Sequence, residues 1–181
     1  MHGTEAPSAW VYRWTSLIRP AGKVLDLACG GGRHMQWLAA QGHDVLGVDR
    51  SSEALSLACA FGSTLEADIE NGPWPLEGRS FDAVVVTNYL WRPLWPQILA
   101  SVAPGGVLIY ETFAQGHETV GRPSRSDFLL APGELLQVAS HGGLRIVGYE
   151  DGFLAQPERF VQRLAAVREV AGDTPARHRL S

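Results

Sequence analysis

Short apolar runs alternate along the chain with helix-length segments whose apolar residues recur every three or four positions. That alternation is the pattern of a parallel sheet whose strands are joined by crossover helices. Residues 24–28 (Val-Leu-Asp-Leu-Ala) read as a buried strand, followed by the turn Gly30-Gly31-Gly32. A helix over 33–41 should bury Met35, Leu38 and Ala39 and stop at Gly42. Residues 45–48 form a second strand that ends in Asp49, and Ser51 or Ser52 caps the next helix. That helix turns Leu55, Ala58 and Cys59 inward and stops at Gly62; a short third strand over 64–67 ends at Asp68.

The second half repeats the pattern with longer connections. Residues 71–80, rich in Gly and Pro, are a loop, and the β-branched run 81–87 is a fourth strand. A helix beginning near Pro93 ends before Pro104-Gly105-Gly106, which launches a fifth strand over 107–113. Residues 114–131 show no period; a loop of that length inside a compact domain is usually a lid or binding loop, or else disordered. A helix over 133–141 precedes two further strands, 144–150 and 160–168, as a closing antiparallel pair. One domain is therefore expected over residues 1–171, with 1–20 as a helical N-terminal cap and 172–181 as a flexible tail.

Composition narrows the function classes. With 181 residues, 45% hydrophobic and 19% charged, the chain can bury a real core, and global disorder is excluded. The formal charge is −4 and the pI about 5.8, and no basic run offers a nucleic-acid footprint, so nucleic acid is not an expected partner. Cys29 and Cys59, with no export signal in Met1-His2-Gly3-Thr4-Glu5, point to a reduced, cytoplasmic setting. The longest apolar runs fall far short of the roughly 18 residues that span a bilayer. No His/Cys grouping has metal-ligand spacing, and no metal is expected.

The chemistry concentrates at the glycine turn. A strand feeding such a turn and then a helix lets a ligand approach the backbone and meet unpaired N–H groups. Asp49, 19 residues after Gly30, can accept both hydroxyls of a ribose, and Asp68 can reach an adenine amino group. Both acids end strands, where ligands of open α/β sheets bind. Asp26 lies inside the first strand; a buried carboxylate is costly unless paired, so it either organises the turn or meets a cationic ligand. A dinucleotide fingerprint would want glycine at position 35, which is Met35, so an NAD(P)-dependent oxidoreductase is a minor alternative.

The run from Val24 to Arg33, the segment 45–50, Ala67-Asp68, the segment 81–88 and Pro104-Gly105-Gly106 resemble the successive motifs of class I S-adenosylmethionine-dependent methyltransferases. The resemblance extends over about residues 7–170 and is greatest to the small bacterial tellurite-resistance and thiopurine-type enzymes. In the first motif Ala28 stands where glycine is commoner. The resemblance implies a Rossmann-like, doubly wound sheet of seven strands, mostly parallel with one antiparallel strand, in a three-layer αβα sandwich. It also implies S-adenosylmethionine as methyl donor and S-adenosylhomocysteine as product. Ala28, Cys29, Gly30 and Gly32 would face the amino-acid end of that cofactor, Asp49 its ribose, and Arg50, Asp68 and Ile69 its adenine, with Asp26 a further candidate cofactor-binding residue. Asn88 would lie under the methionine part, beside the transferred methyl.

A sulfonium is a strong leaving group, so the protein's main task is to align a nucleophile with the methyl carbon, and a base is needed only for a protonated acceptor. Asn88, Tyr89 and Glu111 are the candidate catalytic residues, with Glu111 as base or substrate contact. Trp10 and Trp14 either pack the core or hold the sulfonium by cation–π attraction. His34 either touches the cofactor carboxylate or simply starts a helix. His117, Arg122 and Arg125 on the long loop would clamp an anionic small-molecule acceptor if that loop is a lid, and are a solvated loop otherwise. The expected protein is a monomer or homodimer; a non-catalytic S-adenosylmethionine-binding protein is the second reading.

Overall fold

The structure, a computed structural model, describes residues 6–172 and 176–180. Its sheet is built from β1 (Lys23–Leu27), β2 (Asp44–Asp49), β3 (Ser63–Glu66), β4 (Phe81–Thr87), β5 (Val102–Phe113), β6 (Arg145–Ala155) and β7 (Glu158–Val167). The helices are α1 (Ala9–Trp14), α2 (Arg33–Ala40), α3 (Ser52–Ala58), α4 (Trp95–Ala100) and α5 (Glu134–His141). The seven strands run in the order β3-β2-β1-β4-β5-β7-β6. Pairings from β3 to β5 are parallel, and β7 is antiparallel to both β5 and β6. This is the expected sheet with its one reversed strand, and the carboxyl ends of β1, β2 and β4 meet where the chain order reverses.

The alternation of side chains divides the core into two layers. On one face Val24, Val45, Val85 and Ile109 meet α1, α2 and α3 through Trp10, Trp14, Met35, Leu38 and Leu55. On the other, Leu25, Val84, Val86, Leu108 and Tyr110 meet α4 and α5 through Ile98, Leu135 and Ala139. Trp10 and Trp14 belong to the core: each is 2% exposed, their rings meet edge to face at 5.5 Å, and Trp10 Nε1 donates to the Leu164 carbonyl. A Cβ at Gly148 would lie 2.2 Å from the Trp14 ring, so the missing side chain on β6 is what seats α1.

Several boundaries differ from expectation. Cys59 is exposed rather than inward, because α3 ends at Ala58 and Cys59 is only its C-cap, and Ala39 is half-buried. Pro93 opens a 3-10 turn, Arg92–Leu94, before α4 begins. β5 starts at Val102, five residues early, because Phe81 already pairs with Val102 across an irregular register. The β6–β7 hairpin is longer than the sequence period suggests, extending to Ala155↔Glu158, beyond the buried sheet, where polar alternation no longer marks a strand. The expected tail falls partly on 173–175 and 181, outside the described residues. Of its described part, Leu180 accepts a bond from Arg13 and His178 lies 3.3 Å from Glu169.

Candidate functional site

The glycine turn is held by its own backbone. Cys29 N–H donates to the Val48 carbonyl and Gly32 N–H to the Cys29 carbonyl, while Ala28, Gly30 and Gly32 all have positive φ, at 56°, 53° and 84°. Ala28 thus departs from the usual glycine by more than a methyl group: an L-residue in this conformation costs about 1 kcal/mol. The two glycines serve different ends. A Cβ at Gly32 would lie 3.0 Å from the Ala58 backbone, so Gly32 seats the turn on α3, whereas a Cβ at Gly30 would meet nothing within 4 Å. Gly30 faces open space. Close approach of α2 to the sheet comes from Gly47 on β2, where a Cβ would strike the Met35 sulfur at 2.4 Å. That accounts for a bulky residue at position 35.

Asp49 is fixed by two backbone donors, Gly30 N–H to Oδ2 at 2.8 Å and Ser51 N–H to Oδ1 at 2.9 Å. Each oxygen keeps a lone pair for a further donor. A cavity of about 140 Å³ opens beside it, walled by Ala28, Arg50, Asp68, Ile69 and Tyr89. At its rim Asp68 accepts from the Asn71 side chain and from the backbone N–H groups of Asn71 and Glu70, bonds that hold its carboxyl below the usual range.

Asp26 is fully buried, and neither carboxylate oxygen has a hydrogen-bond partner among the described residues. Burial raises its pKa to about 7, against the opposing charge of Arg33 and with a small addition from Asp49. Cys29 is pushed up by burial and then by Asp26 and Asp49, so it is a thiol that fills the turn. A carboxyl whose folded pKa exceeds its unfolded value binds its proton more tightly when folded. Its contribution is therefore fully present below about pH 4, fades as pH rises, and is gone above about pH 7. Replacing Asp26 by Asn should raise the melting temperature over wild type more at pH 8 than at pH 4; equal gains at both would contradict the assignment.

Beside the turn, a polar layer crosses from α2 to β7. His34 is 2% exposed; its Nε2 accepts from Ser8 N–H at 3.2 Å, which leaves the proton on Nδ1, 3.4 Å from Thr87 Oγ1. Burial, and after it the Arg33 charge, lowers its pKa to about 3, so the ring is neutral and structural. Glu111 has no exposed surface: Ser8 Oγ donates to it at 3.1 Å, and Arg159 and Arg163 lie 3.4 and 3.5 Å away. Its carboxylate is thus occupied by this chain's own cations. Ser8, Arg159 and Arg163 carry no sequence signal, because only the β5–β7 register places Arg163 opposite Glu111.

Asn88 and Tyr89 stand at the carboxyl end of β4. Asn88 has φ 53° and donates its backbone N–H to the Glu111 carbonyl. Tyr110 Oη donates to the Tyr89 carbonyl, while the Tyr89 hydroxyl is buried without a hydrogen-bond partner; burial, with the Glu70 charge next, pushes it up. Both residues line a second cavity of about 250 Å³, whose other walls include Leu90, Phe113, Pro123 and Phe128. Glu70 and Tyr89 line both cavities, and Glu70 was not marked by any pattern in the sequence.

Residues 114–131 are an anchored loop. His117 is buried, stacks on Phe113 at 4.3 Å and bonds the Arg122 carbonyl through Nε2. Arg92 grips the loop from outside, pairing with Glu134 and donating to the carbonyls of Asp127 and Leu129. Arg122 and Arg125 are exposed, Arg125 pairs with Asp127, and neither lines the second cavity. Among the described residues there is no group of three potential metal ligands, and no helix is long and apolar enough to cross a membrane.

Residues 24–106, from β1 into the start of β5, match the methyltransferase domain family. The fold is similar to that of TehB from Haemophilus influenzae (TM-score 0.74, 22% identity, 93% of this chain covered), of which the chain spans 64% of the length. It is also similar to an S-adenosylmethionine-dependent methyltransferase from Mesorhizobium loti (TM-score 0.68, 18% identity), covering 89% of this chain and 99% of that one. A TehB-like methyltransferase from Corynebacterium glutamicum aligns with TM-score 0.62 at 22% identity, over 86% and 87% of the two chains. No curated protein matches the sequence. On this strand order and these similarities, the chain has the class I methyltransferase fold, and its residues 24–106 match a methyltransferase domain.

Proposed function

We propose that the protein transfers a methyl group from S-adenosylmethionine to a small-molecule acceptor. The observation that carries this reading is the pairing of an open glycine with an orphaned acid. Gly30 has empty space where a side chain would stand, and in the strand that feeds the turn the buried Asp26 carboxylate lacks a hydrogen-bond partner among the described residues. A ligand with a cationic amino-acid end supplies what that corner lacks. Asp49, with its free lone pairs, holds the ribose; Asp68 and Ile69 hold the adenine, with Arg50 across it; Asn88 underlies the reacting end. The bound cofactor supplies the sulfonium methyl. The chain's own part is to bind, orient and exclude water, with Ala28, Cys29 and Gly32 shaping the turn. The domain is read as residues 1–171, with 1–20 as its cap, in a cytoplasmic monomer or homodimer. An anionic acceptor would have to be met by Arg122 or Arg125 swinging inward from the loop.

Thermal unfolding with S-adenosylhomocysteine, NAD and NADP tests this directly. Ligand at 100 times its dissociation constant adds about 2.7 kcal/mol, or about 5–10 °C at this size. A shift with S-adenosylhomocysteine alone is expected; a shift with the dinucleotides alone overturns the reading. Binding of S-adenosylhomocysteine without turnover on any acceptor would instead favour the non-catalytic alternative. Asp49→Ala should weaken S-adenosylhomocysteine by roughly 10- to 100-fold, the scale of lost charge-assisted hydrogen bonds at about 1–3 kcal/mol. Unchanged affinity in titration calorimetry would remove Asp49 from the ribose site.

A further inference from the structure

The second cavity has a chemical bias of its own. Its body is apolar, formed by Leu90, Phe113, Pro123 and Phe128. Glu70 and the Tyr89 hydroxyl stand at the end shared with the cofactor cavity, and the neutral polar residues Asn88 and Thr112 complete the lining. Glu70 is the one side chain of formal charge that lines it among the described residues. Of the nearby cations, Arg92 is paired with Glu134, Arg159 and Arg163 with Glu111, and Arg125 with Asp127, while Arg50 lines only the cofactor cavity and the exposed Arg122, beside Pro123, is outside the lining. Arg125 does pass over the Phe128 ring, at 5.5 Å, but its charge is balanced by that aspartate. An oxyanion or thiolate here would face a carboxylate with no cation in the lining, an unfavourable juxtaposition that a neutral or cationic group avoids.

Resting on the methyltransferase reading, we infer that the acceptor is a small amine carried on a flat apolar or aromatic body. The body lies between Phe113 and Phe128, and the amine reaches toward Glu70 and Tyr89. Glu70 holds the ammonium form on arrival and takes a proton from it. The nitrogen lone pair then forms a bond to the methyl carbon as the carbon–sulfur bond breaks. The electrons of that bond stay on sulfur, giving the neutral thioether, and the methylated ammonium gives up its second proton to solvent.

The test uses four probes of one shape and different charge: benzylamine, benzyl alcohol, benzoate and thiophenol. Binding is measured by calorimetry on protein saturated with S-adenosylhomocysteine, and methylation with S-adenosylmethionine. Benzylamine is expected to bind at least tenfold tighter than benzyl alcohol or benzoate and to be methylated. Glu70→Gln should remove most of that margin while changing benzyl alcohol binding less than threefold, and Glu70→Lys should reverse the order of benzylamine and benzoate. Comparing two probes on one variant cancels any effect on the shared cofactor cavity. Preference for benzoate or thiophenol, no binding of any probe to the loaded protein, or an amine margin that survives Glu70→Gln would overturn the inference and leave the methyltransferase reading standing. Failure of S-adenosylhomocysteine to bind at all would take both.

Discussion

Gly30→Val should abolish measurable binding of S-adenosylhomocysteine in a protein that still folds. The backbone there has φ 53°, so any L-residue costs about 1–2 kcal/mol, and a β-branched one lies at the upper end. No protein atom lies within 4 Å of the added Cβ, so the new side chain enters open space rather than the core. The Gly30 N–H also donates to Asp49, and a strained turn would disturb that carboxylate as well. Loss of at least 100-fold in affinity is expected. Gly78→Val is the matched control: φ is 72° there, a Cβ again meets nothing within 4 Å, and the position lies outside the glycine turn. The two variants should lose similar stability, and only the first should lose the ligand. Equal affinity for both would show that the turn does not touch the cofactor.

That contrast illustrates which parts of the protein are legible in its sequence. The strands β1, β2 and β4 could be located because they are largely buried and read as short, mostly apolar runs. Asp49 and Asp68 could be singled out because they end such runs, and strand ends fix where a side chain emerges. Positions whose meaning depends on a distant strand carry no such mark. Arg163 looks like any surface arginine until β7 folds antiparallel to β5 and sets it opposite Glu111. Glu70 looks like a loop acid until the β3 and β4 ends bring it beside Tyr89. The hairpin tip and the 3-10 turns within 114–131 escape for a related reason: they are held by single contacts such as Arg92 to Glu134, not by a repeated apolar face.

Glu111→Ala should cost about 3 kcal/mol, because the geometry offers a structural role to the residue that the sequence marks as a candidate base. An acid at the end of a core strand beside the reacting region invites a catalytic role. In the structure it is sealed from solvent and its oxygens are claimed by Ser8, Arg159 and Arg163. Removing one member of a buried ionic cluster leaves the others uncompensated, typically at 3–5 kcal/mol. Arg163 keeps Glu150 and the Trp10 ring, and both arginines reach some water, which places the cost at the low end. A fall in melting temperature of roughly 6–12 °C follows at this chain length. Glu111→Gln separates the two roles. It retains an acceptor for Ser8 but loses the charge between the arginines, so a structural Glu111 predicts a lower melting temperature with turnover preserved in the folded fraction at 20 °C. A catalytic Glu111 predicts the reverse, near-normal melting and at least 100-fold slower turnover, because a proton acceptor in the transition state is lost while the fold is kept.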